Sequence, residues 1–348
     1  MARRDIGTDD PRVRVRPGKG SRPRTKRRPD YSDAKQGRVI AVDRGRYHLI
    51  SEDGTRLLAI KAREIERGGI VVGDLVRLTG DLSGRKDTLA RIVEVLERDT
   101  ELTRSAEDSD AKGREKTIVA NADIMVIVAA MTNPPVRPGF IDRCLVAAFD
   151  AGMEPLVVLT KADLGDPDNV QEFTKSLGVD TITVSMVGDH PANEGYKEVA
   201  RRLTGHTAVL IGHSGVGKST LINALIPEAD RSIGDVNQVT GRGRHTSTSV
   251  EALPLPEGGW VIDTPGVRGF GLAHVESNTV IAAFDELWDV TEDCPRGCEH
   301  LSDSPECALD DWIRESPENE KDYRRTRVQS IRRLLESLKA AHEKPWEN

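Results

Sequence analysis

Aromatic residues are scarce: Phe, Trp and Tyr together make up 4% of the chain. That scarcity argues against a surface that reads nucleic acid by stacking bases on rings. Apolar runs are short as well. The longest, Ile124 to Met131, falls far below the ~20 apolar residues of a membrane-spanning helix. No apolar segment follows the N-terminal charges, so no secretory leader is expected and the expected setting is the cytoplasm. Cysteine is rare, with Cys144 alone and Cys294, Cys298 and Cys307 close together. Three cysteines gathered beside a histidine suit a metal better than a disulfide framework in a reducing compartment.

The 348 residues are 37% hydrophobic, enough for packed cores in roughly two or three domains. Charge is unevenly spread. The net charge is −7, yet residues 1–30 hold eleven Lys/Arg against four Asp/Glu. A basic arm on an acidic body is a common nucleic-acid-binding arrangement, and equally a disordered, solubilising leader. Residues 1–35 lack hydrophobic periodicity and are expected to be disordered.

From residue 36 to about 105 the text reads as short strands: Val39–Val42, Tyr47–Ile50, Leu57–Ile60, Leu75–Leu78 and Ala90–Leu96, punctuated by Asp53-Gly54 and Ser83-Gly84. Five short strands predict a small β-barrel, with an OB-fold leading and an SH3-like barrel as the alternative. Arginines such as Arg44, Arg46, Arg56, Arg63, Arg67 and Arg77 favour contact with the backbone or shape of structured RNA.

The grammar then changes. Over residues 112–272, strands at Ala122–Met131, Pro155–Thr160, Thr181–Ser185 and Thr207–Ile211 alternate with helices at Phe140–Ala151, Val170–Leu177 and Tyr196–Leu203. This predicts a parallel sheet with helices on both faces and a ligand at the carboxyl ends of the strands. Residues 273–348 read as helical and strongly charged. There Val328, Ile331, Leu335 and Leu338 form one apolar stripe, which either packs on the rest of the protein or binds a partner.

The chemistry lies in the α/β part. Gly212-His213-Ser214-Gly215-Val216-Gly217-Lys218-Ser219 fits the phosphate-binding loop, set between a strand and a helix that opens at Ser219-Thr220. Its glycines let backbone N–H groups approach phosphate, and the helix dipole favours anions. Lys218 is expected on the β and γ oxygens and the Ser219 hydroxyl on Mg²⁺. Asp263-Thr264-Pro265-Gly266 ends an apolar strand, placing Asp263 to hold Mg²⁺ and the Gly266 N–H to meet the γ-phosphate. Thr160-Lys161-Ala162-Asp163 reads the base. A carboxylate at Asp163 accepts from guanine N1–H and N2–H₂, where adenine offers an acceptor, and Lys161 can lie over the base plane. Thr160 stands where most GTPases have Asn. Ser185 and Met186 offer a second base contact. Between the phosphate loop and Asp263, the Gly241–Thr248 segment supplies the switch, with Thr246 or Thr248 closing on Mg²⁺ and the γ-phosphate.

These motifs stand in an unusual order, base-reading first. In that order the chain resembles the circularly permuted GTPases. With the N-terminal barrel and the C-terminal Cys/His cluster, it is similar to the bacterial GTPases whose activity depends on the small ribosomal subunit. The resemblance implies an OB-fold, a permuted P-loop GTPase domain and a helical zinc-binding domain. It further implies GTP and GDP as ligands, and hydrolysis stimulated by the small subunit late in its maturation, with nucleotide state controlling rRNA binding and release. A monomer without membrane association is the expected form.

The position after Asp263–Gly266, where many GTPases carry a water-orienting Gln, is Val267, which cannot orient water. His245 in the switch is then the candidate for that task, acting with Lys218 and Thr246. Cys294-x₃-Cys298-x-His300-x₆-Cys307 offers a closed Cys₃His set for one structural Zn²⁺, at spacings one residue off the family's usual ones on each side. A different class of function also fits the residues: an RNA-binding assembly chaperone in which GTP only tunes affinity.

Overall fold

The computed structural model describes residues 30–66, 68–105, 115–185, 187, 191–227, 229, 250–264, 272 and 275–343. Most of the basic arm, Arg67, Met186, His245, Thr246, Thr248, Gly266 and Val267 lie outside them.

Five strands, β1 (Lys35–Asp43), β2 (Arg46–Ser51), β3 (Arg56–Lys61), β4 (Leu75–Gly80) and β5 (Ala90–Val95), form at the five β-prone segments of the sequence. Inward positions such as Val39, Leu49, Ala59, Val76, Leu78 and Ile92 are fully buried in one core. The strands pair in the order β1-β2-β3-β5-β4, and β4 closes back on β1. Only β3 and β5 run parallel. That order and closure are those of the OB-fold, and the SH3-like alternative drops out.

A hairpin, β6 (Glu101–Ser105) with β7 (Glu115–Ala120), leads into the α/β part. There β8 (Ile124–Ala130), β9 (Glu154–Thr160), β10 (Asp180–Val184), β11 (Thr207–Ile211), β12 (Glu251–Pro254) and β13 (Trp260–Asp263) order as β10-β9-β8-β11-β13-β12. All neighbours run parallel except β12 against β13. The helices are α1 (Pro138–Asp150), α2 (Asp168–Ser176), α3 (Gly195–Leu203) and α4 (Lys218–Leu225). Residues of β8 divide between two cores, as a strand covered on both faces must. Met125 and Ile127 join α1 on one side, whereas Ile124, Val126 and Val128 join α3 and α4 on the other.

The C-terminal helices are α5 (Ser277–Ile281), α6 (Asp285–Thr291), α7 (Ala308–Arg314) and α8 (Lys321–Glu343). They share the core of the α1 face. The apolar stripe of α8 is fully buried: Val328, Ile331, Leu335 and Leu338 are each at most 1% exposed. It packs on the protein itself, and the partner-binding reading falls.

Barrel and α/β part meet at an anchored joint. Ala41 of β1 pairs with Glu251 of β12. Asp74, fully buried, accepts from Arg98 Nε at 2.7 Å and Nη2 at 3.0 Å, and from the Val71 N–H at 2.7 Å. The Asn121 side-chain amide donates to the Gly73 carbonyl at 3.2 Å. Gly73 has φ +94°, and a Cβ there would lie 1.9 Å from the Ala120 carbonyl oxygen. Only glycine lets the two backbones approach so closely.

Candidate nucleotide site and metal centre

The three described motifs converge at the carboxyl edge of the parallel sheet. β9 ends at Thr160, β11 runs into Gly212 and β13 ends at Asp263. β8 lies between β9 and β11, so the permuted chain places base-reading and phosphate-binding segments on either side of one strand.

Gly215 and Gly217 take left-handed φ values of +81° and +98°, and Gly217 caps α4. Gly212 is constrained differently: a Cβ there would lie 2.4 Å from the Val128 carbonyl oxygen. The loop therefore curls tightly against β8 and leads into the N-terminus of α4, the end of a helix that favours an anion. His213 packs on the Phe140 ring, centroids 4.3 Å apart. Val216 is buried, whereas Ser214, Ser219 and Thr220 are exposed at the loop and first helical turn.

Lys218 bends back and donates to the carbonyls of Gly212 and, at 3.0 Å, His213. Burial lowers its pKa, with the Asp263 charge opposing. Burial likewise raises the Asp263 pKa, with Lys218 opposing. Asp263 Oδ1 is buried without a hydrogen-bond partner among the described residues. An orphaned carboxylate oxygen facing a buried lysine fits a hydrated divalent cation beside phosphate, which would satisfy the oxygen and compensate its desolvation.

Thr160, buried, donates its hydroxyl to the Val216 carbonyl. Thr in place of Asn therefore keeps a direct bond to the phosphate loop. Lys161, in the left-handed region at φ +55°, extends to the carbonyls of Thr132, Asn133 and Gly215, the last at 3.1 Å. Ala162 opens a single 3₁₀ turn, Ala162–Leu164, which presents Asp163. Ser185 is buried, and its hydroxyl donates to Asp163 Oδ1 at 2.8 Å. Thr264, between two motif residues, donates to the Leu210 carbonyl at 2.7 Å and ties the end of β13 to β11. Neither Thr264 nor the Thr132–Asn133 carbonyls occupy a recognisable motif position, so the sequence carries no signal for these contacts.

At the other end of the chain, Cys294, Cys298, His300 and Cys307 bring their ligand atoms within 4.8 Å of one another. His300 Nδ1 is 3.4 Å from Cys294 Sγ and 3.9 Å from Cys307 Sγ. A tetrahedral Zn²⁺ with its usual bond lengths sets such edges at about 3.5–3.8 Å, so the donors fit that ion in kind and spacing. Backbone N–H groups complete the arrangement, Ala308 donating to Cys294 Sγ at 3.3 Å and His300 to Cys298 Sγ at 3.4 Å. Burial pushes the Cys294 thiol up to about 12, and the Cys307 thiol also upward. The same burial lowers the His300 pKa, which leaves a neutral imidazole able to bind a metal.

Comparison with known proteins decides the family. The model of the RsgA GTPase family matches residues 95–273. The chain belongs to the RsgA GTPase family. Proteins named small ribosomal subunit biogenesis GTPase RsgA, from Pseudomonas syringae pv. tomato and Pseudomonas aeruginosa, are each 41% identical over 225 residues. The match spans 63% of this chain and 63% of the length of those RsgA proteins. Among solved structures, YjeQ from Thermotoga maritima superposes with a TM-score of 0.62 at 26% identity, over 87% of this chain and 98% of that one. YloQ, a circularly permuted GTPase, gives 0.57 at 23% identity, over 87% and 96%, a likeness of fold. Among the described residues, no helix is long and apolar enough to cross a membrane.

Proposed function

We propose that this protein is a GTP hydrolase that assists late maturation of the small ribosomal subunit, its hydrolysis stimulated by the subunit and its nucleotide state setting when it binds and leaves rRNA. The observation that carries the nucleotide assignment is the Ser185–Asp163 bond, which leaves a fixed carboxylate beside a phosphate loop bonded to Thr160 and Lys161. The names of the RsgA relatives support the ribosomal partner.

In this reading residues 36–105 and the basic arm 1–35 meet RNA, 112–272 bind and hydrolyse GTP, and 273–348 hold one structural Zn²⁺ through Cys294, Cys298, His300 and Cys307. Asp163, Lys161, Ala162, Ser185 and Met186 surround guanine. Residues 212–220 cradle the phosphates, Lys218 neutralising them. Ser219, Asp263 and Thr246 or Thr248 would hold Mg²⁺, which supplies positive charge to the phosphate oxygens. The Gly266 N–H meets the γ-phosphate. His245 orients the attacking water, a task closed to Val267. The protein works as a cytoplasmic monomer.

A multiple-turnover GTPase assay with and without purified small subunits tests the reading. A large stimulation by the subunit, lost in His245→Ala, is the expected result. An unstimulated rate would favour an assembly chaperone in which GTP only tunes affinity. An unchanged stimulated rate in His245→Ala would remove that residue from catalysis alone.

A further inference from the structure

Arg332 is a residue of α8, yet its side chain belongs to the cysteine cluster. Its Nη1 and Nη2 each lie 2.9 Å from one oxygen of Asp310, a two-pronged pair that fixes the guanidinium plane. Its Nε donates to the His300 carbonyl at 3.3 Å. Its positive charge also lies close enough to Cys307 to interact with it electrostatically. The side chain is only 11% exposed. One guanidinium thus bonds one of the four candidate ligand residues, acts on a second through its charge, and grips the first turn of α7, which begins directly after the last cysteine.

The His300 contact has a local reason. His300 sits at φ +58° and Glu306 at φ +53°, conformations that strain a non-glycine residue and persist only where neighbours hold them. The bond from Arg332 to the His300 carbonyl, and that from the His300 N–H to Cys298 Sγ, hold this turn from both sides. Three sulfurs and a neutral imidazole around a divalent ion leave an excess negative charge. A guanidinium held at Cys307 by a carboxylate behind it answers that charge at a fixed direction, as outer partners of metal ligands commonly do.

We propose that Arg332 is a positioning residue of the metal centre: it orients Cys307 and the His300 turn toward the ion and so fastens the ion to the long C-terminal helix. This rests on the Cys₃His cluster holding Zn²⁺. The helix carries the connection onward. Arg327, five residues before Arg332, donates to the Ser176 carbonyl at 2.6 Å, and Ser330 bonds Ser176 directly. Arg333 pairs with Asp142 and stacks over Phe173, 3.9 Å from the ring centroid. Metal centre and GTPase helices α1 and α2 are therefore gripped by the same turns of one helix.

The test uses the full-length protein, with Zn²⁺ itself as the probe. Zinc affinity is measured by competition with a chromophoric chelator, and zinc release is timed after addition of a thiol-modifying reagent. Arg332→Met is expected to weaken zinc binding roughly 10–100-fold and to speed release. Arg332→Lys, which keeps the charge without the fork, should recover part of the loss. Arg332→Gln keeps a neutral donor and serves if Arg332→Met yields no soluble protein; it should also bind zinc more weakly. Wild-type affinity and release in Arg332→Gln, with a lowered melting temperature, would overturn the proposal and leave Arg332 as an ion-pair partner of Asp310. Failure of the unaltered protein to bind zinc would instead overturn the metal reading of the cluster, and this proposal with it.

Discussion

The Ser185 hydroxyl donates to Asp163 Oδ1 at 2.8 Å, joining the ends of two adjacent parallel strands, β9 and β10. Ser185 is 1% exposed, so this bond fixes the direction of the Asp163 carboxylate. Ser185→Ala is expected to weaken GDP binding by roughly tenfold, on the order of 1.4 kcal/mol, while binding of inorganic phosphate stays unchanged. Titration with a fluorescent GDP analogue checks this, and an unchanged Kd would mean that Asp163 needs no orienting partner.

Asp263 should trade stability for ion binding. Its desolvated carboxylate, with one oxygen unpartnered, opposes folding in the nucleotide-free protein. Asp263→Asn should therefore raise the melting temperature by a few degrees in chelator. The same variant should lose most of the extra stabilisation that Mg²⁺ adds to a non-hydrolysable GTP analogue. Thermal melts in the two media give both quantities, and a lowered melting temperature in chelator would contradict the argument.

Asp142 predicts a pH dependence. Burial pushes its carboxyl up to about 6, against the pull of Arg333, whose Nη2 lies 3.0 Å away. A folded-state pKa above the unfolded value favours the folded protein while the group is protonated. That contribution is complete below the unfolded pKa near 4 and is lost as pH rises through 6, on the order of 2–3 kcal/mol in total. Chemical denaturation at pH 5 and pH 7 should show the decline, and Asp142→Asn should flatten it over this interval. An equal slope in both proteins would refute the assignment.

Gly73→Ala tests the joint between barrel and α/β part. Its Cβ would collide with the Ala120 carbonyl oxygen in a left-handed conformation, so a loss of roughly 3 kcal/mol or more is expected. Gly54→Ala offers the contrast: its φ is +80°, yet nothing lies within 4 Å, and only the backbone penalty of about 1 kcal/mol should appear. Urea midpoints for the pair separate collision from conformation.

Much of this architecture is written locally. The five barrel strands are short β-prone runs bounded by turn signals that need no distant partner to be read, and the phosphate loop lies between a strand and a helix visible in the sequence. What escaped reading depends on long-range pairing. Arg98 and Asp74 are unremarkable charges until the fold places them 2.7 Å apart. The β6–β7 hairpin joins segments separated by a polar stretch with no tight-turn signature. The stripe Val328–Leu338 left a partner-binding helix open as the lesser reading, and its burial against α1 and α2 closes it. Thr160 departs from the usual residue, and the sequence left open whether its shorter side chain could still hold the phosphate loop; its hydroxyl bonds the Val216 carbonyl.

The contact between Arg327 and Ser176 spans 151 residues of chain. A ribosome translating this protein releases α2, with Phe173 and Leu177 on its apolar side, well before α8 exists to cover them. At ordinary synthesis rates that interval is about 8–30 seconds, long compared with the folding of a helix. The outer face of α2 thus waits for α8 to be made. Permutation has put α2 early in translation and the helix that covers it late, so the α/β part of the nascent protein gains its full support only once α8 has been translated.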